Sequence, residues 1–202
     1  MRKLLAVVLL AAAMVAPAFA AEKGSMEING KLGYLINPEL KAEANGQSKT
    51  IDFKGTFSLE ADFFYYVDPK IAVGLGLEYV FPSEMDDSFI PSEMDSKCGN
   101  TNIFVQAKYD FAIENDIFNT IYPLVQLGYG IINISDDLSK GFDVKNGLYW
   151  AIGLGTTIKE NFIVELLYAF NYGTADMIGE GPSGIDLTYK TFKFKVGYKF
   201  AI

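Results

Sequence analysis

The last stretch of the chain, residues 188–202, constrains the fold more than any other. It reads TYKTFKFKVGYKFAI, and apolar side chains occupy every second position: Phe192, Phe194, Val196, Tyr198, Phe200 and Ile202. Successive side chains of a β-strand point to opposite faces, so this spacing predicts a strand with one apolar face and one face that carries lysines. A helix would scatter those lysines into the apolar face.

Residues 1–20 have the features of a secretory signal peptide. Arg2 and Lys3 precede an apolar run over 4–15, and the small-x-small sequence Ala-Phe-Ala follows at 18–20. The run is shorter than the roughly 20 residues that a membrane-spanning helix needs, so we expect cleavage after residue 20. A retained anchor helix is the alternative. The remainder, 21–202, is expected to form one domain.

The charge of the chain argues against nucleic acid as a partner. There are 17 basic and 25 acidic residues, and without the two basic residues of the predicted signal peptide the net charge is −10. Such a chain repels phosphate backbones. Hydrophobic residues make up 50% of the sequence, yet they are spread by alternation rather than gathered in long runs. That distribution is typical of a membrane β-barrel.

Seven further segments alternate like the C-terminal one, and each is long enough to cross a bilayer as a tilted strand. The predicted strands are 26–37, 51–66, 71–81, 102–112, 121–132, 148–158, 162–172 and 188–202. Aromatic residues gather towards the ends of their apolar faces, as expected at the headgroup layers of a membrane. The fold class predicted is all-β, an eight-stranded antiparallel up-and-down transmembrane β-barrel.

The connections between these segments alternate in length. Residues 67–70 and 159–161 are tight turns and 113–120 is of intermediate length, whereas 38–50, 82–101, 133–147 and 173–187 are predicted as long, polar and acidic loops. Short turns at one end and long loops at the other are typical of outer-membrane barrels. With an even number of strands, both termini are expected at the end with short turns.

In these features the chain resembles the small eight-stranded bacterial outer-membrane proteins of the OmpA transmembrane-domain and OmpX type. The resemblance implies an outer-membrane location, contact with lipid, periplasmic termini and extracellular long loops. It also implies that the C-terminal strand is an assembly signal for the barrel-assembly machinery, carried by Phe194, Val196, Tyr198, Phe200 and Ile202. The family usually ends in Phe, so Ile202 departs from the pattern.

Alternation also assigns charged side chains to the interior. The acids predicted there are Glu27, Asp52, Glu60, Asp62, Glu78, Asp110 and Glu165, and the bases are Lys31, Lys54, Lys108, Lys193, Lys195 and Lys199. Because eight strands leave little more than side-chain space, this near balance predicts a lumen closed by ion pairs. The predicted network comprises Glu27, Lys31, Glu60, Glu78, Lys108, Glu165, Lys193, Lys195 and Lys199. Glu165 is expected at the depth of Lys199, and Glu60 and Glu78 are expected to pair with the other lysines.

No catalytic, metal or cofactor site is predicted. The chain has no histidine, which removes the commonest general base and metal ligand. A Ser–Lys or acid-pair mechanism is the remaining catalytic alternative. The acidic loop 82–101 suggests a cation site only weakly, because its spacing differs from an EF-hand. Cys98, the one cysteine, is expected to be a free thiol, with intermolecular pairing as the alternative.

These features specify architecture better than function. The function predicted first is a structural or surface-interaction barrel, whose long loops would meet an extracellular ligand. The alternative is a transporter, either a narrow porin or an OmpW-like conduit for small apolar compounds.

Overall fold

The computed structural model describes residues 22–85, 97–113, 117–135, 141–159, 161–178 and 184–201, and the predicted signal peptide lies outside these ranges. All regular structure in them is β. The strands are β1 Met26–Ala44, β2 Gln47–Asp52, β3 Thr56–Asp68, β4 Ile71–Glu84, β5 Lys97–Tyr109, β6 Phe111–Ala112, β7 Phe118–Ile134, β8 Phe142–Lys145, β9 Gly147–Ile158, β10 Phe162–Met177 and β11 Ile185–Ala201.

Eight long strands form a closed antiparallel ring. Their order is β1-β3-β4-β5-β7-β9-β10-β11, and β11 pairs with both β10 and β1. The short strands β2, β6 and β8 pair with β1, β7 and β10 and continue neighbouring long strands. Each long strand pairs with its sequence neighbours, so the architecture is the predicted up-and-down barrel.

The outward faces of the long strands form an apolar band. Its ranges are 26–36, 57–67, 71–81, 101–111, 121–131, 148–158, 162–172 and 192–200. Within these ranges no charged side chain points outward, and mid-band Leu75 is 61% exposed whereas inward Glu78 is 0% exposed. A tilted strand of about 9 to 11 residues crosses the hydrocarbon of a bilayer, which these ranges match. The protein is therefore apolar outside and charged inside.

The two ends of the ring differ. At the short-connection end, tight links join β3 to β4 and β9 to β10. At the long-connection end, several strands continue past the apolar band, so the prediction of loops over 38–50 and 173–187 is wrong for much of both stretches. Strand β1 runs to Ala44 and turns back into β2 through Asn45 (φ 52°) and Gly46 (φ 75°). Asn-Gly is a frequent hairpin turn because both residues tolerate positive φ.

A bulge in β1 changes which residues of that strand point into the barrel at this end. Asn37 has φ 45°, and the register with β11 shifts between Ile36 and Glu39. Beyond a bulge the alternation of a strand changes face. The predicted strand 51–66 is correspondingly broken into β2 and β3.

The predicted orientations around this break are wrong. Phe53, predicted to face outward, is 4% exposed, and its ring meets that of Tyr189 edge-on at 6.2 Å. Asp52 and Lys54, predicted to face the lumen, are exposed. Lys54 is instead paired on the surface with Glu84 at 2.8 Å.

Two groups of apolar side chains fill the barrel around the charged residues. The first lines the wall formed by β3 to β10, and it consists of Phe64, Tyr66, Ala72, Phe104, Tyr122, Leu124, Tyr149, Ala151, Leu167 and Ala169. The second, the upper apolar cluster, fills the long-connection end with Leu35, Leu40, Phe53, Val80, Cys98, Ile132, Ala175, Leu187 and Tyr189.

Candidate functional site: the charged interior of the barrel

Alternation brings charges from six strands into one interior. All nine residues of the predicted network lie there, together with Asp62 and Asp110. Apart from Lys199, whose side chain is 17% exposed, these residues are at most 7% exposed. Burial of this kind requires partners, because an unpaired charge away from water is very costly.

Lys195 and Lys193 of β11 bind two glutamates in the middle of the barrel. The Lys195 ammonium contacts a carboxylate oxygen of Glu60 and lies 3.1 Å from Glu78 Oε1. Lys193 Nζ lies 2.5 Å from Glu78 Oε2, which also accepts a hydrogen bond from Asn102 Nδ2 at 2.9 Å. These side chains come from β3, β4, β5 and β11, so the contacts span the lumen.

Lys31 of β1 binds three acids at once. Its Nζ lies 3.1 Å from Glu60 Oε1, 2.7 Å from Asp62 Oδ2 and 2.8 Å from Glu165 Oε1. Asn29, two residues earlier on the same face, donates from Nδ2 to Asp62 Oδ1 at 2.7 Å. Because Glu60 contacts both Lys31 and Lys195, the ion pairs of the two lysines form one network. We call Lys31, Lys193, Lys195, Glu60, Asp62, Glu78 and Glu165 the central cluster.

A second group of charges lies nearer the short-connection end. Lys108 Nζ is 2.8 Å from Glu27 Oε2 and 3.8 Å from Asp110 Oδ2, and Lys199 Nζ is 3.4 Å from Glu27 Oε1. The Tyr66 hydroxyl lies 2.8 Å from Glu27 Oε1 and 2.6 Å from Asp110 Oδ2, and it can donate to one of them at a time. We call these four charged residues the lower cluster.

Aromatic rings surround the Lys108 ammonium. Its Nζ lies 4.7 Å from the ring centre of Phe64, 5.2 Å from that of Tyr66 and 5.0 Å from that of Tyr122. A desolvated ammonium is attracted to the faces of such rings. The Tyr122 hydroxyl donates to Glu165 Oε1 at 2.9 Å, which connects the lower and central clusters.

The pairing differs in two respects from the prediction. Glu165 pairs with Lys31 rather than lying beside Lys199, because the strand register puts Lys195 opposite Glu165. Lys108 pairs with Glu27 rather than with Glu60 or Glu78. Asn102, Tyr66 and Tyr122 are members of the polar interior that the prediction lacks, although their inward alternation is a signal that could have found them.

The residues of the predicted assembly signal lie on the outward face of β11. Phe194 and Val196 are exposed in the apolar band. The ring of Tyr198 meets that of Phe200 at 4.9 Å in a tilted arrangement and that of Phe162 on β10 edge-on at 5.5 Å. Ile202 lies outside the described residues. The role of this face in assembly stays a prediction.

Cys98 lies in the upper apolar cluster with a free thiol. Burial raises the pKa of this thiol to about 12, so it is a poor nucleophile. In the described ranges, no group of histidine, cysteine, aspartate and glutamate side chains could hold a metal ion. Residues 86–96 of the acidic loop lie outside those ranges. No helix in the described part of the chain is long and apolar enough to span a membrane.

A closed ring of antiparallel strands with an apolar exterior and a charged, paired interior defines the class: an integral membrane β-barrel. The chain belongs to the outer membrane protein beta-barrel domain family, whose model matches residues 5–200. This family places the protein in the bacterial outer membrane. No sequence among the curated proteins matches the chain.

Solved structures of bacterial outer-membrane proteins share the fold. The outer membrane protein OprG from Pseudomonas aeruginosa is 12% identical, with a TM-score of 0.59 over 91% of this chain and 98% of its own. The outer membrane protein AlkL, solved in lipid bilayers, is 13% identical, with a TM-score of 0.60 over 93% of this chain and 94% of its own. At these identities the likeness is one of fold alone.

Proposed function

We propose that this protein is a structural or surface-interaction barrel whose lumen is closed to ions and solutes by its buried ion pairs. The observation that carries the proposal is the central cluster, in which lysines of β1 and β11 reach acids of β3, β4 and β10. An eight-stranded barrel has an interior just wide enough for side chains to fill. We infer that contacts crossing this space interrupt any continuous water path.

The end with long connections supports the surface-interaction role. There β1, β8, β10 and β11 extend beyond the apolar band and carry cross-strand ion pairs on their outer faces. Lys145 pairs with Asp176 at 2.7 Å and Lys190 with Glu39 at 2.8 Å. By sequence, residues 86–96 add four acids and no base. We infer that this end faces the exterior, that the termini are periplasmic, and that an acidic rim meets a ligand there.

Solute permeation into vesicles tests the proposal. Liposomes that contain the folded barrel should admit small sugars and ions no faster than protein-free liposomes, whereas a general porin in parallel vesicles should admit them rapidly. Uptake of small hydrophilic solutes near the porin rate would refute the closed lumen.

The upper apolar cluster favours one second candidate, a conduit for small apolar compounds. Leu35, Val80 and Leu187 make the interior apolar on the side from which such a compound would enter, and the ion pairs lie beyond them. Transfer of an apolar dye into vesicles separates the candidates. Uptake accelerated by the barrel, and abolished by Leu187→Lys, would favour the conduit.

We further propose that the protein is not an enzyme. The chain has no histidine, and the carboxylates of the interior are bound to lysines instead of being open to a substrate.

A further inference from the structure

The outer wall of the barrel has a groove that runs along β5. Its floor is formed by Val105 and Ala107 of β5, and its sides are formed by Leu75 of β4 and Leu127 of β7. This concavity has a volume of about 550 Å³. A second concavity continues it past Ile103 towards the long-connection end. Because the groove lies within the apolar band, membrane lipid is what contacts it.

Two glycines that flank β5 explain why the wall is recessed there. Gly76 of β4 and Gly128 of β7 are directly opposite Phe104 of β5 and have no side chain on the lumen side. The Phe104 ring lies where a β-carbon of residue 76 would stand, and the carbonyl oxygen of Ile103 lies where one of residue 128 would stand. The strand β5 is therefore drawn towards the lumen, which leaves the groove on the outside.

We propose that this groove binds one glycerophospholipid, with an acyl chain along β5 and the phosphate at the short-connection end. From Ile103 to Tyr109 the strand rises about 20 Å. A tilt of about 40° turns that rise into about 15 Å of depth. Half of the hydrocarbon core of a bilayer is also about 15 Å thick. A chain of one leaflet can therefore follow the groove from the head-group layer to the midplane.

The side chains at the short-connection end of the groove suit a phospholipid head group. Tyr65 and Tyr109 stand there on the outward face, and tyrosines favour the head-group layer. The exposed Lys70 precedes Ile71, which is directly opposite Tyr109. Within the described ranges Lys70 has no carboxylate partner, and Asp68 accepts only the backbone N–H of Lys70, at 3.1 Å. One ammonium matches the single negative charge of a phosphodiester.

Shape, rather than hydrophobicity, would hold the chain in place. Lipid tails are as apolar as the wall, so a flat apolar surface does not retain any particular tail. A groove contacts a chain on three sides, and dispersion attraction grows with the number of close atom pairs. The pairing of Lys70 with the phosphate would add a charge-assisted contact at one end.

A second copy of the chain fits the groove less well than a lipid does. A twofold dimer presents the same patch from both copies. Two concave patches face to face would leave the space over Val105 and Ala107 unfilled, and protein contacts are close-packed. A flexible acyl chain can fill that space.

Native mass spectrometry of the full barrel, released from vesicles of phosphatidylcholine and phosphatidylglycerol, counts the retained lipid. Wild type should retain one phospholipid, with phosphatidylglycerol preferred. Ala107→Phe fills the floor of the groove and should abolish retention, whereas Ile152→Phe, at an outward mid-band position on β9, should not. Lys70→Gln should remove the preference for phosphatidylglycerol, whereas Lys159→Gln, at an exposed lysine between β9 and β10, should keep it.

Wild type without a retained phospholipid would overturn the proposal, and so would equal retention by wild type and Ala107→Phe. An unchanged preference for phosphatidylglycerol in Lys70→Gln would overturn it too. Dimers of wild type that Ala107→Phe abolishes would assign the groove to a second copy instead. If Ala107→Phe does not fold, Val125→Phe narrows the groove from β7 and takes its place. Lipid retention is measured on the outer wall, so its failure would leave the closed lumen untouched.

Discussion

Lys31 and Glu165 are separated by 134 residues in the sequence, yet Lys31 Nζ donates to Glu165 Oε1 at 2.8 Å in the middle of the barrel. The contact joins β1 to β10, two strands that are not neighbours in the ring. Together with the contacts of Lys195 and Lys193, it ties strands two or three places apart in the ring together through the interior. The closure of the barrel therefore depends on side chains brought in by sequence-distant strands.

Removing one lysine should expose the energetic cost of an unpaired buried charge. Lys195→Met should lower the free energy of unfolding by about 3 to 5 kcal/mol, because Glu60 and Glu78 would lose a shared partner. Urea titration in lipid vesicles measures the change. Lys190→Met, which breaks a solvent-screened pair with Glu39, should cost far less. Similar losses for both would contradict a dry interior.

An arginine on the apolar band should destabilise the inserted barrel. Leu75 is outward and mid-band, where Leu75→Arg should cost about 2 to 4 kcal/mol of folding free energy. Thr50→Arg, on exposed β2 beyond the band, should be nearly neutral. The comparison is made by refolding both variants into vesicles, and a tolerated Leu75→Arg would mean that this face is not in lipid.

Gly74, next to Leu75, should be intolerant of any side chain. Its inward alternation alone would suggest that Gly74→Ser is harmless. However, an added Cβ would lie 2.0 Å from the carbonyl oxygen of Phe63 on the paired strand. Gly74→Ala should therefore slow or prevent folding, as measured by heat modifiability on gels, whereas Gly30→Ala meets no atom within 4 Å and should fold. Normal folding of Gly74→Ala would disprove the close approach of the two strands.

The upper apolar cluster should depend on Phe53. This side chain is buried against Tyr189, so Phe53→Ala should lower the free energy of unfolding by about 3 to 5 kcal/mol. Phe57→Ala, at an exposed position on the band, should cost much less in detergent. Equal losses of thermal stability in the two variants would mean that Phe53 faces outward, as alternation predicts.

Assembly in cells should require the aromatic end of β11. The rings of Tyr198 and Phe200 contact each other on the outward face of the strand. The double change to Asp should leave the protein degraded or in the periplasm, as judged by outer-membrane fractionation. Gln47→Asp with Thr50→Asp, on β2, adds the same charge outside the band and should not affect assembly. Normal membrane levels of the Tyr198 and Phe200 variant would refute an assembly role.

Alternation predicted the spanning strands and the inward charges because period-two patterning is local in sequence. It failed where the backbone departs from a regular strand. The bulge at Asn37 changes the inward residues of β1 and, because β2 pairs with β1, those of the following segment as well. Regular alternation therefore places Asp52, Phe53 and Lys54 on the wrong faces. The choice of ion-pair partners was not predictable either. Glu165 meets Lys31 because of the register and curvature of the closed ring, which no single segment encodes.

Planar-bilayer recording of the folded wild-type barrel tests the closed lumen most directly. We predict no steady single-channel conductance at neutral pH, with leak events appearing in Lys31→Met, whose loss leaves Asp62 and Glu165 without a lysine partner. Steady wild-type conductance like that of a general porin would contradict the account and make the barrel a channel.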